Sequence, residues 1–179
     1  MAQSPSSEDI IGPPPTIVLP SPSDDDRWMM VALDAADHAA RQGDVPVGAV
    51  VVHDGRIIGR SGNRREQDQD PTGHAELVAL RQAARHLGHW RLVGCALYVT
   101  LEPCAMCAGA LVNSRVDLLV YGASDPKGGF CGSLGNLVRD PRLNHRLDVR
   151  SGVLAEASRT RLKAFFAERR RQTRRPRSL

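Results

Sequence analysis

The chain has no apolar run approaching the roughly 20 residues needed to cross a bilayer. Residues 1–26 contain no Lys or Arg, so they lack the basic segment and following apolar run of a secretory signal. Aromatic residues are scarce, at 4% against a hydrophobic fraction of 41%, which leaves a core to be built mostly from Leu, Val and Ala. Only four cysteines occur: Cys95, Cys104, Cys107 and Cys131. They are too few for a disulfide-stapled scaffold and suit a reducing compartment and a metal site better. A membrane-spanning helix and a small disulfide-rich module are not expected on these grounds. What remains is a cytoplasmic protein with no membrane partner, whose 179 residues fit one globular domain with a sizeable core.

Charge is distributed unevenly behind a net +4. Residues 1–26 carry five acids, are rich in Pro and Ser, and read as a disordered extension. Residues 159–179 carry nine Lys or Arg against one acid, Glu168, a balance that commonly meets phosphates. The division expected is an extension over 1–26, a domain over 27–172 and a basic tail over 173–179.

Between these ends the patterns alternate. Asp24 to Asp26 precede a helical stretch over 27–42, acids at a helix start complementing its dipole, with Met29, Met30, Leu33, Ala36 and Ala40 on one face and Gly43 beyond it. Residues 46–53 read as a buried strand, Asp54-Gly55 as a hairpin turn and 56–61 as the partner strand. A polar loop over 62–73 leads to a helix over 75–87. Strand 95–101, helix 104–113 and strand 116–121 follow. A flexible glycine-rich loop over 122–135, strand-like residues 147–150 and a closing helix over 154–172 complete the chain. This order predicts an α/β fold, a mixed central sheet with helices on its faces.

Two short motifs carry chemistry. His74-Ala75-Glu76 and Pro103-Cys104-Ala105-Met106-Cys107 are each weak alone, since an H-x-E triplet occurs by chance and a C-x-x-C also serves redox and structural zinc sites. Together, each opening a predicted helix, they form the known signature of zinc nucleobase deaminases. Cys104 and Cys107 are three residues apart and share one side of a first helical turn, whose positive end lowers the cost of thiolates. Pro103 suits a helix start. Three ligands leave the fourth tetrahedral position open, as catalytic zinc requires. Zinc lowers the pKa of water from about 15.7 to about 7, and Glu76, two residues from a ligand, can move protons without occupying the metal. A structural site closed by Cys95 or Cys131 stays open as an alternative, with Cys131 the harder to exclude.

Longer stretches surround these motifs: VPVGAVVV (45–52), GNR (62–64), DPTGHAE (70–76), ALRQA (79–83), LYVTLEPCAMCAGAL (97–111) and NHR (144–146). In this order they resemble the bacterial tRNA-specific adenosine deaminases over about residues 27–172. The resemblance implies a cytidine-deaminase-like three-layer α/β/α sandwich and one Zn2+ per subunit. The subunit would be part of a homodimer acting on the anticodon stem-loop of a tRNA, converting the wobble adenosine to inosine. Carried over by position, it makes His74, Cys104 and Cys107 the ligands and Glu76 the proton shuttle. Asn63 would contact the target nucleoside and Asp125 a neighbouring sugar. Phe165, Phe166 and Arg169 would meet the anticodon loop from the last helix, and His145 would be a further loop contact. Ser124, Phe130 and Cys131 depart from the family pattern around the glycine loop. A deaminase of a free base or nucleoside, of guanine or cytosine type, would use the same core. A non-catalytic zinc module that binds RNA is the rival of another class.

Overall fold

A computed structural model describes residues 18–174. Its sheet is organised by residues 48–53, an apolar run without alternation. Val50 and Val52 point to one side and Ala49 and Val51 to the other, and all four are fully buried. A strand of this kind must be covered on both faces. Among the described residues the sheet has five strands: β1 (Gly48–His53), β2 (Arg56–Gly62), β3 (Cys95–Leu101), β4 (Leu118–Ala123) and β5 (Asp148–Ser151), in the order β2-β1-β3-β4-β5. β1 runs antiparallel to β2 and β3, while β3, β4 and β5 run parallel to one another. Helices α3 (Ala75–Leu87) and α4 (Ala105–Ser114) pack on one face, and α1 (Asp25–Arg41) and α5 (Ala155–Arg174) on the other. The architecture is the expected α/β/α sandwich with a mixed sheet.

The Asp54-Gly55 turn forms with both residues at positive φ, 47° and 67°, as a tight hairpin favours. The helix over 27–42 begins two residues earlier than expected, and its apolar stripe lies elsewhere. Met30 is 58% exposed, whereas Trp28, Ala32, Ala35 and Ala39 join Met29, Leu33 and Ala36 in the interior. Small residues on this stripe let the helix lie directly on β1: a Cβ on Gly48 would overlap the Ala32 carbonyl oxygen and sit 2.5 Å from Ala36 N. The polar loop expected over 62–73 contains a short helix, α2 (Arg65–Asp68). Buried Asp44 caps it, accepting the Glu66 N–H at 2.9 Å.

The expected extension over 1–26 is corrected in its last part. Residues 1–17 lie outside the described residues, but 18–26 belong to the folded unit: Pro22–Asp24 form a 3-10 turn and Asp25 opens α1. Asp25 is buried and accepts hydrogen bonds from Tyr98 Oη and Arg150 Nη1, both at 2.9 Å. Burial, then the Asp25 acceptor, pushes the Tyr98 phenol pKa far up. Asp25→Ala would strand a buried hydroxyl and half-free a guanidinium. A loss of about 3 kcal/mol is expected, seen as a melting temperature lower by roughly 6–12 °C. At the other end, Thr173 and Arg174 continue α5, and 175–179 of the expected tail lie outside the described residues. Among the described residues no helix is long and apolar enough to cross a membrane.

Candidate active site

His74 and Cys104 occupy equivalent places. Each is the N-cap of a helix on the same sheet face, with extended backbone: φ −75°, ψ 145° at His74 before α3, and φ −71°, ψ 174° at Cys104 before α4. An Asp70 turn prepares the first, its carboxylate accepting the Thr72 N–H and hydroxyl at 2.8 and 2.7 Å. β3 and Pro103 lead into the second. Cys107 lies one turn along α4 and is buried. His74 Nδ1 stands 3.7 Å from Cys104 Sγ and 3.5 Å from Cys107 Sγ, and the three ligand atoms lie within 4.8 Å of one another.

This donor set fits a single zinc ion: one imidazole and two sulfurs converge from two positive helix ends. Among the described residues no fourth His, Cys, Asp or Glu joins the group. Cys95 is buried at the start of β3, where burial raises its thiol to about 12. Cys131 is buried with its sulfur 3.9 Å from the Pro103 carbonyl, and burial pushes its pKa up as well. Neither closes the site, which keeps the open arrangement of catalytic zinc.

Glu76 supplies a second test of fit. Its side chain is 3% exposed and its Oε2 has no hydrogen-bond partner, so an acidic oxygen is held ready beside the ligands. Burial is the main cause that raises its pKa, against the favourable field of His74. The two sulfurs divide their roles. The Cys107 hydrogen bond, then that of His74, brings the Cys104 pKa down to about 3. Donation to Cys104, burial and the neighbouring Glu76 push Cys107 far up. The Cys104 contact also raises His74. These shifts favour the thiolate at Cys104 and the thiol at Cys107. Metal loading at pH 7 is expected to release the Cys107 proton together with the share that His74 carries. Titration calorimetry in buffers of differing ionisation enthalpy measures this release, and binding should weaken as pH falls.

A pocket of ≈ 220 Å³ opens beside the ligands, and Asn63, His74, Glu76, Cys104, Asp125 and Phe166 all line it. Asn63 is buried, and its Oδ1 accepts the Ala75 N–H at 3.0 Å, which leaves its amide nitrogen to donate into the pocket. Phe166 reaches the pocket with 44% of its surface exposed, while Phe165 packs edge-on against it with ring centroids 5.5 Å apart. Arg169 lies over the Phe165 ring, 5.9 Å from its centroid. His145 is outside the pocket, its Nε2 donating to the Val116 carbonyl at 2.7 Å. A larger, open cleft of ≈ 370 Å³ shares Asn63 but contains none of the metal-ligating group.

Glu102 becomes conspicuous only in the folded chain. This carboxylate is 2% exposed and also lines the pocket. Burial alone would raise its pKa, but hydrogen bonds from Ser133, Asp125 and Cys131 outweigh burial and hold it below the usual carboxylate range. The signal available was an acid between an apolar strand and Pro103, a place where an unpaired charge is costly.

Comparison with known proteins agrees with this geometry. Residues 23–170 match the family model of the MafB19-like deaminases. A tRNA-specific adenosine deaminase of Bacillus subtilis is 50% identical over 83% of this chain and 92% of its own. The chain belongs to the bacterial tRNA-specific adenosine deaminase family. Its Haemophilus influenzae relative is 49% identical, covering 83% of this chain and 86% of the other. A solved structure from work on A-to-I editing by tRNA:A34 deaminases has a TM-score of 0.74 and 46% identity, covering 76% of this chain and 99% of that one. The family places the chain among the nucleobase deaminases of the cytidine-deaminase-like superfamily, and the His74, Cys104, Cys107 cluster is able to hold a metal ion.

Proposed function

We propose that the protein hydrolyses the exocyclic amine of the wobble adenosine in a tRNA anticodon loop, giving inosine and ammonia. The observation that carries this reading is the open three-ligand cluster beside the buried, unpartnered Glu76. The 50% identical relative is a tRNA-specific adenosine deaminase. His74, Cys104 and Cys107 would hold the zinc ion, which supplies an acidified water at neutral pH. Glu76 accepts a proton from the attacking water and delivers it to the purine ring nitrogen. The water oxygen bonds to C6, and Glu76 then takes the proton left on that oxygen and passes it to the amine as the C6–N bond breaks, so that ammonia leaves and C6 keeps a carbonyl oxygen. Asn63 donates to the base, and the Phe166 wall shields the pocket.

The RNA approaches with the target nucleotide splayed out of its loop. Arg169, Arg170 and Arg171 on exposed turns of α5 offer phosphate contacts. Phe165 shapes that face, Asp125 meets a neighbouring sugar, and His145, anchored to Val116, serves as an outer contact. A homodimer is proposed through the outer side of α4, where Ala105 and Met106 are exposed. The working place of the protein is proposed to be the cytoplasm. Incubation of the purified protein with tRNA, and separately with free guanine, cytidine and adenosine, tests the reading by mass analysis of products. Inosine in tRNA alone is expected. Turnover of a free base instead would favour the free-base deaminase, and RNA binding without ammonia release would favour the non-catalytic module.

A further inference from the structure

The Glu102 carboxylate makes no ion pair among the described residues, although it sits at the end of β3 in the pocket wall. All its hydrogen bonds come from one loop. Oε1 accepts the N–H groups of Cys131 and Ser133 at 3.1 and 2.9 Å. Oε2 accepts the Asp125 N–H at 3.0 Å and also the Ser133 hydroxyl. The loop closes tightly around it, since a Cβ on Gly129 would overlap the carboxylate. Its other side is fastened to the metal-ligand turn, with Phe130 N–H donating to the Pro103 carbonyl at 2.9 Å. The glycine-rich stretch expected to be flexible is therefore an ordered clasp.

Asp125 is the member of this clasp that faces the pocket. Its own turn is self-contained: its carbonyl accepts the Gly129 N–H at 2.9 Å and its Oδ1 the Lys127 N–H at 3.0 Å. The remaining tie that holds it at the pocket is its backbone N–H, accepted by Glu102. Building on the function proposed above, we propose that Glu102 is a positioning residue, whose carboxylate sets the placement of Asp125 and thereby the grip on the RNA next to the target base.

Geometry separates this from a purely structural staple. Three of the four donors are backbone N–H groups that cannot turn, and one is a hydroxyl that can. In Glu102→Gln, an oxygen toward Cys131 and Ser133 keeps two backbone bonds and lets the amide nitrogen donate to a reversed Ser133 hydroxyl. Only the Asp125 N–H is then opposed by another donor. The opposite orientation would oppose two N–H groups and is disfavoured. Replacing this carboxylate by its amide thus releases Asp125 selectively.

The test uses metal-loaded protein and an anticodon stem-loop. In Glu102→Gln, amide exchange at Asp125 should speed up about tenfold while Cys131 and Ser133 stay protected. KM for the stem-loop should rise about tenfold with kcat changed less than about threefold. Combination with Asp125→Ala should raise KM no further than Asp125→Ala alone. Unchanged exchange at Asp125, joint loss of protection at all three amides with a lower melting temperature, or multiplying KM effects would each overturn the proposal. Should Glu102→Gln fail to fold, Glu102→Asp keeps the charge and loses the reach, and the same KM rise at constant kcat is expected. A wild-type protein that makes no inosine would overturn the function reading and the RNA half of this inference, while the amide pattern still decides the loop half.

Discussion

Glu76→Gln is expected to cost about 10³-fold to 10⁴-fold in inosine formation while the bound metal stays at one per subunit. The side chain is shut away from solvent, touches no hydrogen-bond donor through Oε2, and has its pKa raised first of all by burial. A carboxylate made more basic by burial accepts a proton more readily than one in water, and with no partner at Oε2 it contributes little to the fold. The amide cannot carry a proton between water, ring nitrogen and departing amine. It also relieves a buried charge, so the variant should melt at the same temperature as the wild type or higher. Inosine analysis, metal analysis and a melting curve on one preparation check all three parts. Lost metal would assign Glu76 to the ligand set, and retained activity would remove it from the mechanism.

Stripping the metal is expected to lower the melting temperature by roughly 8–16 °C. A ligand present at a thousand times its Kd stabilises the folded state by about 4 kcal/mol, and a domain of this size shifts roughly 2–4 °C per kcal/mol. The effect should be large because the ligands join separate elements, α3 through His74 and α4 through Cys104 and Cys107. Metal-free protein also leaves a thiolate, a thiol and Glu76 crowded together. Cys107→Ser and His74→Ala should each erase most of the difference between chelator-treated and metal-loaded samples. The increment should shrink as pH falls, because His74 and Cys107 take up protons that compete with the metal. A melting temperature indifferent to chelator, with metal demonstrably removed, would show that α3 and α4 need no bridge.

The parts of this molecule readable from sequence are those fixed by local rules. Val50 to Val52 announce a strand covered on both faces, and Asp54-Gly55 a tight turn. Motif spacing alone places His74, Glu76, Cys104 and Cys107, because each pair spans only one helical start. Features set by distant partners were not readable. Asp25 reads as a helix-start acid until Tyr98 and Arg150 are seen folded against it. Residues 65–68 read as loop because the cap that turns them into a helix is Asp44. The glycines of 122–135 suggest mobility, yet they leave room for Glu102 to occupy the centre of the loop. The helical period points Met30 inward, but small Ala residues fill that stripe and leave Met30 exposed.

The position of β3 has a consequence for how the chain comes to hold its metal. β3 lies in the middle of the sheet, bonded to β1 on one side and β4 on the other, and the ligands straddle it in sequence. A chain emerging from the ribosome presents His74 alone for the next thirty residues. The three-ligand set is not present in the chain until Cys107, inside α4, has been made. A chain stalled short of α4 therefore lacks one of the three ligands and cannot assemble the site.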